Sequence, residues 1–189
     1  MSVNTITIIG SSAGGPRILK EIFKELPVLN GAIVLIQHMP EFINIPFCES
    51  LDQLTDMKVK IAEDWESLNS GVVYIAPSGR HLLIHRNRQI RLVKGEKYHH
   101  VCPSIDVTMK SLTPQGGIRH IGIVLTGMGN DGAEGIKHIK NVGGITIAQD
   151  EETSIIYGMP KEARLTGCVD MILNPGQIRE QLVNLMNLQ

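Results

Sequence analysis

Along the chain, short unbroken apolar runs alternate with longer stretches in which apolar positions recur every three or four residues. Val3 to Ile9 (VNTITII) is rich in β-branched residues and reads as a buried strand stopping at Gly10. Gly14 to Leu26 is of the second kind. Ile18, Leu19, Ile22, Phe23 and Leu26 make one helical stripe, and Pro16 suits the first turn, where its missing N–H is not needed. Gly31 to Gln37 (GAIVLIQ) predicts a second strand and Ile43 to Leu54 a helix, with strands over Val59 to Ala62 and Gly71 to Ala76. HLLIH and QIRLV, split by RNR between Arg80 and Val93, predict a hairpin. Ser104 to Leu112 reads as a helix with Ser104 as N-cap and Asp106 in its first turn. Then follow a strand over Arg119 to Leu125, a helix over Gly132 to Val142, a strand over Ile145 to Ala148, a helix over Gly158 to Leu165 and a strand over Val169 to Leu173. A last helix opens at Asn174 and Pro175, with Ile178, Leu182 and Leu185 on one face. Strands that are apolar throughout and alternate with helices imply a doubly wound, mostly parallel α/β sheet, helices on both faces, with the hairpin appended.

The 189 residues suit one domain, 1–189. Lys plus Arg number 18 and Asp plus Glu 19, a balance without the basic footprint of a nucleic-acid binder. Cys48, Cys102 and Cys168 are odd in number and form no CxxC pair, which favours a reduced setting. The N-terminus carries no basic residue before Arg17, so it is not a secretory signal, and the apolar runs are too short to span a bilayer. A cytoplasmic, soluble protein is the expectation.

The chemistry starts at TIIGSSAGGPRIL, a glycine-rich turn between a predicted strand and helix. A dinucleotide fingerprint needs glycine in the middle of G-x-G-x-x-G, where this chain has Ser12. A P-loop needs lysine after its last glycine, where this chain has Pro16. Phosphate or nucleotide binding is thereby weakened, although a helix N-terminus still attracts anions. The alternative is a nucleophile elbow: Gly10-Ser11-Ser12-Ala13-Gly14 fits G-x-S-x-G with Ser12 at its centre, and the Ala13 N–H then faces a developing oxyanion. The bland reading is that either serine merely caps the helix.

A serine nucleophile needs a base, and the base an orienting group. Sites in doubly wound folds lie at the carboxyl ends of strands. His38 directly follows GAIVLIQ, and Asp131 lies in the TGMGND loop after IGIVL. Taken singly, His38 reads as a sheet-edge histidine and Asp131 as a helix N-cap. The coincidence of Ser12, His38 and Asp131 at three strand ends favours catalysis. No metal or other cofactor is expected. His81 and His85 lie ~13 Å apart on a strand, and His99, His100 and Cys102 have no second cluster at metal-ligand spacing.

IGSSAGGP, IVLIQHMP, VYIAPSGRHLLI, PSIDVTMKSL, GIVLTGMGNDGAEGIKHIKNVGG and AQDEETSIIYGMPKEA together resemble, in order and over nearly the whole chain, the catalytic domain of the chemotaxis protein-glutamate methylesterases, the CheB family. The resemblance implies a serine hydrolase that demethylates glutamate methyl esters on chemoreceptors and deamidates certain receptor glutamines. It carries the nucleophile onto Ser12, the base onto His38 and the aspartate onto Asp131. It adds the backbone N–H of Met128 as a second oxyanion donor. The order Ser, His, Asp differs from that of the α/β-hydrolases. Two positions depart from the family's usual residues: Ser11 stands in place of alanine and Trp65 in place of glycine. The family's N-terminal receiver domain has no counterpart here, so regulation by another domain or by a protein in trans is the expectation. A non-catalytic interaction domain of the same fold is the remaining alternative.

Overall fold

The computed structural model describes residues 3–98 and 100–187. Seven strands form one sheet: β1 (Thr5–Ser11), β2 (Ala32–Gln37), β3 (Lys58–Ile61), β4 (Val72–Ile75), β7 (Arg119–Val124), β8 (Ile145–Gln149) and β9 (Met171–Leu173). Their order is β3-β4-β2-β1-β7-β8-β9, and every pairing is parallel. The hairpin β5 (His81–Ile84) and β6 (Ile90–Val93) is an antiparallel sheet of its own.

The alternation along each strand sorts the core into two layers. Ile9, Ile33, Leu35 and Ile123 face α1 (Gly15–Phe23), α2 (Asn44–Asp52) and α6 (Pro175–Asn187). Ile6, Ile8, Val34 and Ile36 face the hairpin and the helices α3 (Ile105–Ser111), α4 (Ala133–Asn141) and α5 (Met159–Leu165). The expected α1 stripe is buried throughout. That helix ends early, because Glu25 takes a left-handed φ of 57° and Leu26 bridges to Thr55. On α6, Met186 joins Ile178 and Leu182 in the core and Leu185 is only partly buried, so the buried stripe steps by four residues each time.

One boundary matters for the site. Gly10 does not stop β1; it pairs with Ile36 and Val124, and the strand runs on to Ser11. A Cβ on Gly10 would lie 2.5 Å from the Ile105 side chain. This glycine lets α3 seat on the sheet and makes Ser12 the first residue off the strand.

His120 on β7 is 3% exposed, and its Nε2 finds no hydrogen-bond partner among the described residues. Burial first, and the neighbouring His138 second, hold its pKa below the ordinary value. Its stabilising contribution is therefore complete above the unfolded imidazole pKa of ~6.5 and is lost as pH falls through the lower folded value. The urea midpoint should drop between about pH 7 and pH 5.5, and His120→Leu should flatten that slope. An unchanged slope in the variant would remove His120 as its source.

Candidate active site

The strand order reverses direction at β1, which has β2 on one side and β7 on the other. Loops diverge at such a point and leave a crevice at the carboxyl ends of the strands. Ser11 and Gln37 are the last register pair of β1 and β2, so Ser12 and His38 leave adjacent strands side by side. The Ser12 N–H donates to Thr126 O at 3.0 Å, joining this turn to the loop after β7. The turn then bends at Gly14, whose φ of 81° is the left-handed region that glycine enters without a Cβ penalty.

Asp131 comes from that same loop and is 3% exposed. It does not cap α4, the helix that follows it. The N-cap there is Gly132, whose N–H donates instead to Asp106 Oδ1 at 2.9 Å, as does the Gly135 N–H at 2.7 Å. Asp131 sits on the N-terminus of α3. Its Oδ1 accepts from Ser104 Oγ at 2.8 Å and Asp106 N at 3.0 Å, and its Oδ2 accepts from Ile105 N at 2.8 Å. The two helices thus cap each other reciprocally: a carboxylate before α4 serves α3, and a carboxylate within α3 serves α4. The fourth bond to Asp131 runs from His38 Nε2 to Oδ2 at 2.9 Å.

Burial works to raise the Asp131 pKa, but the bonds from His38, from the Asp106 and Ile105 N–H groups and from Ser104 together hold it below the usual carboxylate value. Asp131 is ionised at neutral pH and can only accept. His38 Nε2 therefore carries the proton, and Nδ1 is the basic nitrogen. Asp106 is the opposite case. Burial, with the nearby Asp131 charge adding to it, raises its pKa against the bonds from Gly135 and Gly132.

A further layer braces α3. His81 is buried; its Nδ1 accepts from Ser104 N at 3.2 Å, so Nε2 donates to Glu96 O at 3.0 Å. Thr108 Oγ1 donates to Leu82 O at 2.8 Å, and Ile84 N donates to Ser111 Oγ at 2.9 Å. The hairpin is thus a buttress for the helix that holds Asp131.

The two expected oxyanion donors flank Ser12. Gly127 packs so closely that a Cβ there would meet Ser12 Cβ at 2.7 Å, and Met128 is the next residue. Thr126 Oγ1 donates to Ala13 O at 3.1 Å and accepts from Ile156 N at 2.9 Å, tying the two donor loops together. Among the described residues, neither the Ala13 nor the Met128 N–H has a protein acceptor. His38 and Asp131 are joined; Ser12 and His38 leave adjacent strand ends, and no hydrogen bond joins Ser12 Oγ to His38. Exposed apolar side chains sit on the loops that carry the site: Met128 is 77% exposed, and Ile155 beside Gly14 and Ile156 bonded to Thr126 are also exposed.

Of the other residues singled out from the sequence, His85 stacks on Trp65, and His99 lies outside the described residues. Among the described residues no group of three or more His, Cys, Asp or Glu could hold a metal ion, and no helix is long and apolar enough to cross a membrane. Trp65 has a φ of 66°, in the left-handed region that favours glycine, and Arg91 lies 3.6 Å over its ring. Sequence reasoning missed Gln37 and Thr126 altogether. It read Ser104 and Asp106 correctly as cap and first-turn acid without showing what they hold.

Comparison with known proteins identifies the family. The family model described as CheB methylesterase matches residues 7–182. A Rhodospirillum rubrum protein named protein-glutamate methylesterase/protein-glutamine glutaminase 2 is 41% identical over 175 residues, 91% of this chain and 48% of the relative. A similarly named Haloarcula marismortui protein is 39% identical over 186 residues, 96% of this chain and 50% of the relative. This chain thus spans about half the length of these curated relatives. The crystal structure of the Thermotoga maritima CheB methylesterase catalytic domain superposes with a TM-score of 0.89 at 37% identity, covering 98% of this chain and 100% of that one. In sequence, fold and strand order the chain belongs to the CheB methylesterase family.

Proposed function

We propose that residues 1–189 act as one catalytic domain that hydrolyses glutamate methyl esters on chemoreceptors, and glutamine side-chain amides by the same steps. The observation that carries the reading is the His38 Nε2 to Asp131 Oδ2 bond at 2.9 Å, with Asp131 held ionised on α3 and Ser12 on the adjacent strand end.

In the first step Ser12 Oγ attacks the ester carbonyl and its proton passes to His38 Nδ1. Asp131 holds the imidazole in the tautomer that leaves Nδ1 free and stabilises the imidazolium. The Ala13 and Met128 N–H groups, free of protein acceptors, receive the oxyanion, each contributing a few kcal/mol. The tetrahedral intermediate collapses, His38 returns the proton to the leaving methoxide, and methanol departs. Water then attacks the acyl-serine with His38 again as base, releasing the glutamate side chain and restoring Ser12. The Ser12 to His38 hydrogen bond forms with substrate in place, as such contacts tighten in the Michaelis complex. The exposed apolar side chains of Met128, Ile155 and Ile156 on the loops around Ser12 support a macromolecular substrate, since exposed apolar patches mark protein contacts. The glutamate-ester and glutamine activities rest on what the curated relatives are named for, and the chemoreceptor substrate on the resemblance to the chemotaxis methylesterases.

The test is methanol release from methylated receptors of the same organism, with Ser12→Ala beside the unaltered chain. The reading requires release by the first and none above background by the second. Equal release from both would end it.

A further inference from the structure

The buried end of β1 and β2 holds a polar pair that none of these steps uses. Ser11 is fully buried and donates Oγ–H to Gln37 Oε1 at 2.6 Å. Gln37 is 2% exposed, and its Nε2 donates to Ser12 O at 3.0 Å and to His38 O at 2.9 Å. These partners dictate the amide's orientation. Turned over, it would set its oxygen against two carbonyl oxygens. The side chain is also enclosed: a Cβ on Gly15 would lie 2.2 Å from Gln37 Oε1 and 2.8 Å from Ser11 Oγ.

The two carbonyls belong to the nucleophile residue and the base residue. The β1–β2 ladder ends with the bond from His38 N to Ser11 O at 3.1 Å. Beyond that bond, sheet pairing no longer sets the spacing of Ser12 from His38. One NH2 group bridges the two backbones there. Resting on the acyl-transfer reading above, we infer that Gln37, oriented by Ser11, is a positioning residue that fixes Ser12 against His38. Ser11 acts only through Gln37.

Gln37→Met keeps length and bulk but removes both donors. It should lower kcat about ten- to a hundred-fold with KM within about two-fold, the signature of a misaligned nucleophile and base rather than lost binding. Covalent labelling of Ser12 by a sulfonyl fluoride should slow by the same factor. Ser11→Ala should cost about two- to five-fold in the unaltered background and nothing further beside Gln37→Met. Gln37→Glu keeps the shape and puts an acceptor against two acceptors, so it should be slower than Gln37→Met. All four are compared at temperatures where circular dichroism finds them folded, and Gln37→Glu with Ser11→Ala carries the test if Gln37→Met does not fold. The inference is overturned if folded Gln37 variants label and turn over within about two-fold of the unaltered chain, or if Ser11→Ala costs the same factor in both backgrounds. Should the chain leave methylated receptors untouched yet label at Ser12, the substrate is wrong and the labelling rates still decide on Gln37. A Ser12 that never labels removes the nucleophile and this inference together.

Discussion

Ser12→Ala is expected to lower kcat by about 10⁴-fold or more, whereas Ser11→Ala costs only about two- to five-fold. The two serines are neighbours in sequence and opposites in environment. Ser11 ends β1, is fully buried, and its hydroxyl is spent on Gln37 Oε1. Ser12 is half-buried at the turn, beside His38 and beneath the TGMG loop. Without Ser12 Oγ no acyl-enzyme forms, and what remains is the oxyanion donors and binding. Steady-state methanol release with both variants checks this. Comparable losses in the two would show that the turn, not one hydroxyl, is what activity depends on.

Asp131→Asn should be nearly as damaging to catalysis and should also destabilise the fold. The carboxylate accepts four hydrogen bonds, two on each oxygen. An amide keeps one acceptor end and turns an NH2 toward two former donors; the backbone N–H there cannot accept, so at least that bond is lost and the two N–H groups collide, while the Ser104 hydroxyl or the His38 imidazole can accept only by reversing its own proton. Orienting His38 through the wrong tautomer costs about 10⁴-fold in comparable triads. Uncapping α3 and removing charge-assisted bonds costs about 3 kcal/mol or more. Urea denaturation and kcat on the same preparation test both halves. An Asn variant of unaltered stability, or one within about ten-fold in kcat, would show that Asp131 does not do what its bonds imply. The acid limb has a definite sign. The folded pKa lies below the unfolded value of ~3.9, so the contribution of Asp131 to stability is complete above that value and is lost as pH falls through the folded one.

The doubly wound sheet was legible because its central strands β1, β2, β4, β7 and β8 are buried on both faces and so read as largely apolar runs. Ser12, His38 and Asp131 were legible because a parallel sheet brings its strand ends to one edge, whatever their separation in sequence. Two kinds of feature were hidden. The end of β1 was placed early because Gly10 looks like a breaker. Only the packing of Ile105 against it shows the glycine serving a close approach. The support of Asp131 by α3, and of α4 by Asp106, joins segments some 25 residues apart with no local signal. Gln37 was invisible for a related reason: a lone glutamine at a strand end carries no pattern, and its meaning appears only when two backbone carbonyls come within 3.0 Å of one nitrogen.

The central claim is that Ser12 is a nucleophile activated by His38. Reaction with phenylmethylsulfonyl fluoride, followed by mass spectrometry of the digested chain, tests it most directly. The account predicts one adduct per chain, on Ser12 and not Ser11, forming far more slowly in His38→Ala. An adduct on Ser11, or labelling of Ser12 at the same rate without His38, would contradict it.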